Sequence, residues 1–361
     1  IAVGAFAWAN RYPELELIAQ PDPDSFDEDI VELGESLTGI GDCEVCHTGP
    51  SGIPFAGGLA LPTPFGTVYT TNITPDPVTG IGSWSEEAFR RAMQEGVDRE
   101  GHYLYPAFPY DRFTKTTDQD IDAIYAYIMS EVEAAELITP KNTLPFPFNI
   151  RISLAGWNLL FLKNERWEPN PDQDEEWNRG AYLVEGLAHC GSCHSPRNLL
   201  GAEVPNYGGG FAEGWLAPAL NEDSTAPIRW SVDSLVNYLF DGWDDFHGVT
   251  AGPMTPIVNH LYDQSDDDVF AMAAYIAFLA NGGEIISEDK MEEQALAQFA
   301  VAKEMEWEKG NPIVPSDEQE ARGAIVYKDL CANCHKKDAD ITPLALTSTV
   351  HLRDPANIIR V

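Results

Sequence analysis

Six cysteines and three histidines carry the first clear chemical signal in this 361-residue chain. They stand as CEVCH at 43–47, CGSCH at 190–194 and CANCH at 331–335, and no cysteine is left over. C-x-x-C alone serves half of a zinc site, a redox dithiol or a local disulfide, whereas covalent attachment of a c-type haem also asks for histidine directly after the second cysteine. Histidine is 8 of 361 residues, so its chance placement behind all three pairs has odds of about one in a hundred thousand. Zinc asks for knuckles that converge on one ion, or for the longer histidine spacing of a finger. A redox dithiol is expected once, near a βαβ pattern. The sequence carries neither pattern.

The spacing serves the attachment chemistry. Two thiols add to the two vinyl groups on one edge of the porphyrin, and two intervening residues let one helical turn present both sulfurs to that edge. The next imidazole then reaches the iron. Cys43, Cys46, Cys190, Cys193, Cys331 and Cys334 are therefore the expected covalent anchors, and His47, His194 and His335 the proximal iron ligands, of three covalently bound haem c groups.

These turns need elements to hold them, and the chain repeats those elements. The first cysteines lie 147 and 141 residues apart, so a repeat is sought first. A helical pattern precedes each motif: DIVELGESLTGIGDCEVCH, NRGAYLVEGLAHCGSCH and EARGAIVYKDLCANCH. Each carries a glycine, Gly34, Gly180 or Gly323, at a matching place. A small residue there lets a second helix cross closely, as the first and last helices of small c-type cytochromes do. Downstream, WSEEAFRRAMQEG at 84–96 corresponds to WSVDSLVNYLFDG at 230–242, each with serine in N-cap position. TTDQDIDAIYAYI at 116–128 corresponds to QSDDDVFAMAAYI at 264–276, again a capped helix with acids in its first turn. Tyr125, Tyr127, Phe270 and Tyr275 at helical spacing are expected to pack in the core.

The loop between those helices should supply the sixth ligand of the iron, normally methionine in small electron-transfer cytochromes. In the second copy HGVTAGPMTPIV offers Met254, which is expected to bind the iron there. In the first copy GHYLYPAFPYDRF puts Phe108 at that place. Phenylalanine cannot bind iron, so this haem is five-coordinate or takes a ligand from elsewhere, with Met93, Met129 and His102 as candidates. The third copy has 26 residues after His335 and no methionine among them. The expectation is that its methionine lies beyond Val361, with His351 as a stand-in.

Composition narrows the function further. The chain is 44% hydrophobic and 11% aromatic, ample for real cores. Its 58 acidic against 22 basic residues give a net charge of -36, which argues against binding nucleic acid or an anionic membrane face by charge. Covalent haem attachment implies the periplasmic side of the bacterial inner membrane. The apolar start IAVGAFAWAN, followed by Arg11 and PELELIAQPDPDSF, resembles the end of a signal or anchor helix and is too short to span alone. The link between the first two copies clusters apolar residues around Trp157, Phe161 and Trp167, expected to pack between domains or against a membrane or partner. The link before the third, EDKMEEQALAQFAVAKEMEWEKG, reads as a helix with a solvated acidic face.

Taken together, PFAGGLALPTPFGTVYTTNITPDPVTGIGSWSEEAFRRAM, GHYLYPAFPYDRFTKTTDQDIDAIYAYIM, WNRGAYLVEGLAHCGSCHSPRNLLGA and GVTAGPMTPIV resemble the tri-haem cytochrome c subunits of membrane-bound bacterial dehydrogenases. The resemblance implies an all-α protein of three tandem class-I-like cytochrome c domains with extended loops and linkers, the third incomplete. The segments would be 1–25, the end of an anchor or signal and a linker; 26–140, the first domain; 141–172, a linker; 173–282, the second domain; 283–315, a linker; and 316–361, the third domain. It also implies an electron-transfer role linking a dehydrogenase catalytic subunit to ubiquinone. PELELIAQPDPDSF looks most like cytochromes paired with molybdopterin aldehyde or N-heterocycle dehydrogenases that carry an iron-sulfur subunit. Quinoprotein alcohol dehydrogenases and flavoprotein gluconate, sorbitol or fructose dehydrogenases are the alternative partners. A peroxidase-like enzyme and a freestanding shuttle are readings from other classes; the chain holds no P-loop, G-x-S-x-G or dinucleotide fingerprint.

Overall fold

Helix α1, Glu28–Ile40, starts where the Asp27 carboxylate accepts the Asp29 N–H at 3.0 Å. Glu28 and Asp29 in its first turn suit the positive end of the helix dipole. Gly34, Leu37, Thr38 and Ile40 form its buried stripe. This is a computed structural model describing residues 11–306, 318–331, 334–335 and 344–360. The apolar start at 1–10, part of the last linker and the two residues inside the third motif lie outside the described residues.

The described chain falls into two compact units, Ile1–Asn206 with Asp263–Met272, and Tyr207–Tyr262 with Ala273–Val361. In the first, α1 leads into the short helix α2, Cys43–His47; then come strands β1, Ala60–Thr63, and β2, Gly66–Tyr69, and helices α3, Glu86–Glu95, α4, Tyr110–Phe113, and α5, Asp118–Ser130. Ser85 caps α3 by accepting from Ala88 N–H at 3.2 Å, and Thr117 caps α5 by accepting from Asp120 N–H at 3.1 Å. Both caps stand where the sequence placed them. The crossing expected at Gly34 is there too: a Cβ on Gly34 would lie 2.0 Å from the Ala123 carbonyl oxygen and 2.8 Å from the Tyr127 Cβ. Only a bare backbone lets α1 and α5 come this close. The matching Gly323 has nothing within 4 Å of an added Cβ among the described residues.

The lead peptide after residue 10 lies along this unit. Leu15 N–H donates to Arg99 O at 2.9 Å and Ile18 N–H to Ser83 O at 3.0 Å. The guanidinium groups of Arg91 and Arg99 donate back to the carbonyls of Pro13 and Leu15 at 2.9 and 2.7 Å. Helix α6, Leu154–Phe161, resolves the first linker in favour of packing: Trp157 is buried against Tyr110 and donates its indole N–H to Leu200 O at 3.1 Å. Leu159 and Leu160 of the same helix stay exposed. Helices α7, Glu175–Glu185, and α8, Gly191–His194, follow in the first unit, which also takes in Asp263–Met272.

The second unit opens with a hairpin of β3, Gly210–Ala212, and β4, Trp215–Ala217. Helix α9, Val232–Phe240, follows with a capping box between Ser231 and Ser234. Strands β5, Trp243–Asp244, and β6, Gly248–Val249, make a second hairpin before α10, Met254–Leu261. Helix α11, Asp266–Ala280, whose residues up to Met272 belong to the first unit, buries Val269, Met272, Ala273 and Ile276; Phe270 falls off that stripe and is 38% exposed, contrary to the core role expected of it. Helix α12, Glu288–Glu306, inserts Met291 and Ala295 into a cluster with Ile228, Ile286 and Leu346 and leaves Glu292 and Glu293 in solvent, as the acidic linker pattern predicts. Helix α13, Glu318–Val326, precedes the third motif, and α14, Ala356–Arg360, pairs Asn357 with the backbone of Leu216.

The chain is mostly helical, as expected, with three two-stranded antiparallel sheets among the described residues. Each sheet is a local hairpin closed by a tight turn, which helical periodicity does not report. Replacing Gly34 with valine should keep α1 from closing on α5 and cost about 3 kcal/mol or more, read as a lower urea midpoint with unchanged helix content of the unfolded baseline.

Candidate haem-attachment sites

The first two attachment motifs are each one helical turn placed behind a helix, α2 behind α1 and α8 behind α7; of the third, Cys331, Cys334 and His335 are described and follow α13. In the second motif His194 N–H donates to Cys190 O at 2.9 Å; in the third His335 N–H donates to Cys331 O, also at 2.9 Å. Positions i, i+3 and i+4 of a turn share a face. The turn therefore puts both sulfurs and the imidazole of each motif on one side. All nine predicted attachment residues lie among the described ones, and none of the six cysteines forms a disulfide. Asp42 and His189, the residues before Cys43 and Cys190, are both left-handed at φ 52° and 41°. In the first copy that residue stands two positions after α1 ends at Ile40; in the second, α7 ends at Glu185 and residues 186–189 separate it from the turn.

Histidine orientation is set from outside the first motif. His47 Nδ1 lies 2.6 Å from the Thr71 carbonyl oxygen. A carbonyl only accepts, so Nδ1 carries the proton and Nε2 keeps the lone pair that a metal needs. Thr71 is held by the loop that follows it. The buried Asn72 donates to Ala135 O at 2.7 Å and to Thr79 Oγ1 at 3.0 Å, and accepts from Thr74 N–H at 2.9 Å. Asp76 then accepts from Thr79 N–H and Val78 N–H at 2.6 and 3.1 Å, which holds its carboxyl below the usual carboxylate range.

Burial, aided by the charge of Asp42, pushes the Cys43 thiol up to about 12; burial does the same to Cys190, against the opposing charge of Arg112. A redox dithiol needs the reverse, a thiol held low as thiolate. Burial also lowers His47 from the ordinary imidazole range while its carbonyl hydrogen bond opposes the shift. A neutral imidazole suits metal ligation. Two thiols and an oriented imidazole on one face fit covalently attached haem c.

The first two motifs lie side by side in the first unit. The Leu187 side chain comes within 3.2 Å of where a Cβ on Gly41 would be, and the Asp42 charge acts on His189. A buried ionic cluster joins the elements around them. Arg112, 3% exposed, donates to Glu185 Oε2 at 2.7 Å and to Glu203 Oε2 at 2.9 Å, and its second terminal nitrogen reaches Glu203 Oε1. Lys115 adds a second cation on Glu185 at 2.6 Å. Two cations face two carboxylates here, so the charges balance.

The sixth-ligand candidates are scattered. Met254 begins α10 in the second unit, and His194 is in the first. Met93 and Met129 are buried in α3 and α5, His102 is exposed against Asp98 and Glu100, and the exposed His351 ends the half-buried turn Ser348–His351. Thr71, Asn72 and Arg112 were not singled out from sequence. The polar, proline-rich run TTNITPDPVTG was the available signal for the first two; a buried arginine opposite two distant glutamates left none.

No protein-family model matches the chain. Curated proteins do. A nicotinate dehydrogenase subunit of Pseudomonas putida is 44% identical over 370 residues, covering 100% of this chain, and the chain spans 29% of that relative's length. The gluconate 2-dehydrogenase cytochrome c subunit of Pantoea cypripedii is 39% identical over 87% of this chain and 71% of its own length. The chain belongs to the dehydrogenase cytochrome c subunits. The fructose dehydrogenase cytochrome subunit of Gluconobacter japonicus is a further relative, 35% identical over 88% of this chain and 66% of its own. As a member of this family the chain carries covalently bound haem c, in agreement with the attachment turns. Among the described residues no helix is long and apolar enough to cross a membrane.

Two outcomes test the supports of this cytochrome. Arg112→Ala leaves Glu185 and Glu203 short of a buried partner and should cost about 3–5 kcal/mol, measured by urea unfolding. The depressed Asp76 carboxyl contributes stability that is present above its unfolded pKa, near 3.8, and is lost as pH falls through its lower folded value. Asp76→Asn should therefore lower stability by about 1–2 kcal/mol at pH 7, and its difference from wild type should shrink as acid unfolding is approached.

Proposed function

We propose that this chain carries electrons through three covalently bound haem c groups, from the catalytic subunit of a dehydrogenase to membrane ubiquinone at the periplasmic side of the bacterial inner membrane. The observation that carries the proposal is the threefold recurrence of one closed C-x-x-C-H turn, two copies of which lie side by side in one compact unit. Haem supplies one-electron chemistry at the iron. The protein supplies position: thioether anchors at Cys43 and Cys46, Cys190 and Cys193, and Cys331 and Cys334; proximal nitrogens at His47, His194 and His335; and Met254 as sixth ligand for the second haem. Covalent attachment fixes orientation, so neighbouring haems keep the short separation that electron hopping needs. Three cytochrome domains, at 26–140, 173–282 and 316–361, each begin with the helix that leads into an attachment turn.

The preferred partner is a molybdopterin dehydrogenase of aldehydes or N-heterocycles with an iron-sulfur subunit. Likeness along the whole chain to a nicotinate dehydrogenase subunit supports it, since nicotinate is an N-heterocycle. Quinoprotein alcohol dehydrogenases and flavoprotein gluconate, sorbitol or fructose dehydrogenases rank behind it; the gluconate cytochrome subunit is 39% identical, and the fructose and quinone-dependent alcohol ones 35%.

Pyridine haemochrome analysis with intact-mass spectrometry should give three haems per chain, falling to two in the Cys190→Ala, Cys193→Ala variant. A colourless protein of bare chain mass overturns the proposal. Purification in mild detergent should retain a dehydrogenase subunit that reduces the haems when its substrate is added; elution alone favours a shuttle.

A further inference from the structure

We infer that an apolar, acid-free face of the first unit, carried by residues 143–163 and 197–201, is the surface on which this chain rests against a bilayer with anionic headgroups. This deepens the proposed function by naming the face turned to the membrane, and it rests on the membrane placement alone, not on the haems.

Large apolar side chains crowd into solvent here. Leu199 is 97% exposed, Phe146 and Leu159 are 78% exposed and Leu160 is 68% exposed; Leu200 and Phe148 are exposed as well. All belong to the first unit. Contacts between their segments join them. The Phe148 ring lies 4.9 Å from Phe65, in the turn between β1 and β2, and a Cβ on Gly201 would meet the same Phe65 ring at 2.8 Å. Trp157 of α6 donates its indole N–H to Leu200 O at 3.1 Å. The β1–β2 turn, the turn at 145–150, the loop at 197–201 and α6 therefore meet. Scattered exposed apolar residues are ordinary, whereas a cluster of them marks a contact surface.

The fold holds these side chains out. Asn198 Oδ1 accepts from the N–H groups of Leu200 and Ala202 at 2.8 and 3.2 Å, and Arg197 donates to Gly201 O and Ser192 O at 3.0 and 2.9 Å. Those bonds close the loop with both of its leucines exposed. The turn at 145–150 is closed by Phe148 N–H to Pro145 O at 2.8 Å and Ile150 N–H to Pro147 O at 3.1 Å. Helix α6 buries Ala155 and Trp157 and leaves Leu159 and Leu160 outside.

Charge selects the occupant. The chain has 58 acidic residues among 361, yet residues 137–164 hold none and carry Lys141, Arg151 and Lys163, and residues 186–202 hold none and carry Arg197. Lys141, Lys163 and Arg197 are exposed. Two carboxylates that reach these segments are already engaged: Glu203 by Arg112, and Asp98 by Arg151 at 3.6 Å. A net charge of -36 repels an anionic surface from the chain at large; this face is a local exception. Leucine and phenylalanine rimmed by lysine and arginine seat well at a headgroup boundary, with the apolar groups among acyl chains and the cations among phosphates. The strongest anchors of protein interfaces are tryptophan, tyrosine and arginine, with leucine under-represented. Here the exposed groups are leucine and phenylalanine, which favours lipid over a protein partner.

The test is co-sedimentation of the full chain with large unilamellar vesicles of phosphatidylethanolamine and phosphatidylglycerol, with haem content measured in parallel. Wild type should pellet with the vesicles. The Leu159→Gln, Leu160→Gln variant, which keeps good helix formers at exposed positions, should partition about tenfold more weakly or less. Leu199→Gln, Leu200→Gln should do the same and covers the case in which α6 does not tolerate the change. Lys141→Glu, Lys163→Glu should weaken binding at low salt, with the difference shrinking as salt screens it. Val78→Gln, at an exposed position outside these segments, should bind like wild type. A haem-loaded wild type that stays in the supernatant, or leucine variants that pellet as it does, overturns the inference and leaves electron transfer standing. Leucine variants that keep vesicle binding but lose a co-purifying dehydrogenase subunit make this face a protein interface and overturn it too. Absence of haem with vesicle binding intact overturns the electron-transfer proposal and supports this face.

Discussion

The hydrogen bond from the histidine N–H to the carbonyl of the first cysteine is the constraint on which the structure depends. It closes one helical turn, and in doing so puts two sulfurs and an imidazole on a single face. Everything around the turn serves to hold that face still. A helix runs in from one side, a left-handed residue precedes the turn in the first two copies, and in the first copy a carbonyl 24 residues further on fixes the ring. The turn itself is local and inexpensive to form; its surroundings are what make it a rigid seat.

Rigidity of the first unit comes from two different contacts. At Gly34 the α1 and α5 backbones approach so closely that no side chain fits, and the many weak contacts of close packing add up along the crossing. At Arg112 the contact is ionic and nearly dry, with two carboxylates and a second cation completing it. The first contact sets how α1 and α5 cross. The second ties α4 to the residues flanking the next attachment turn, and charge balance within the cluster keeps the burial tolerable.

Much of this was legible from local pattern. The attachment motifs, the caps at Ser85, Thr117 and Ser231 and the leading helices follow from neighbours in sequence, and the spacing of residue types reports neighbours well; the crossing at Gly34 was expected from the fold of small c-type cytochromes. The grip of Thr71 on His47, the Arg112 cluster and the lead peptide laid over Arg91 and Arg99 join residues far apart in the chain, and no periodicity records such pairs. Phe270 shows the opposite error. Its spacing fits a core stripe, but α11 turns a neighbouring stripe inward and leaves that ring in solvent. The small hairpins were missed because two to four residues are too few for an alternating pattern to stand out.

Under the proposed electron-transfer role, the buried Arg112 cluster has a consequence for the timing of charge movement. Tunnelling probability falls exponentially with separation, so a joint that breathes by even an ångström would smear the transfer into a spread of rates. A joint locked by opposed charges away from water keeps one separation through thermal motion, and sparse solvent nearby leaves few dipoles to reorganise when an electron passes. With haems seated at both turns as proposed, the same ions that hold the fold would keep the passage between them uniform from molecule to molecule.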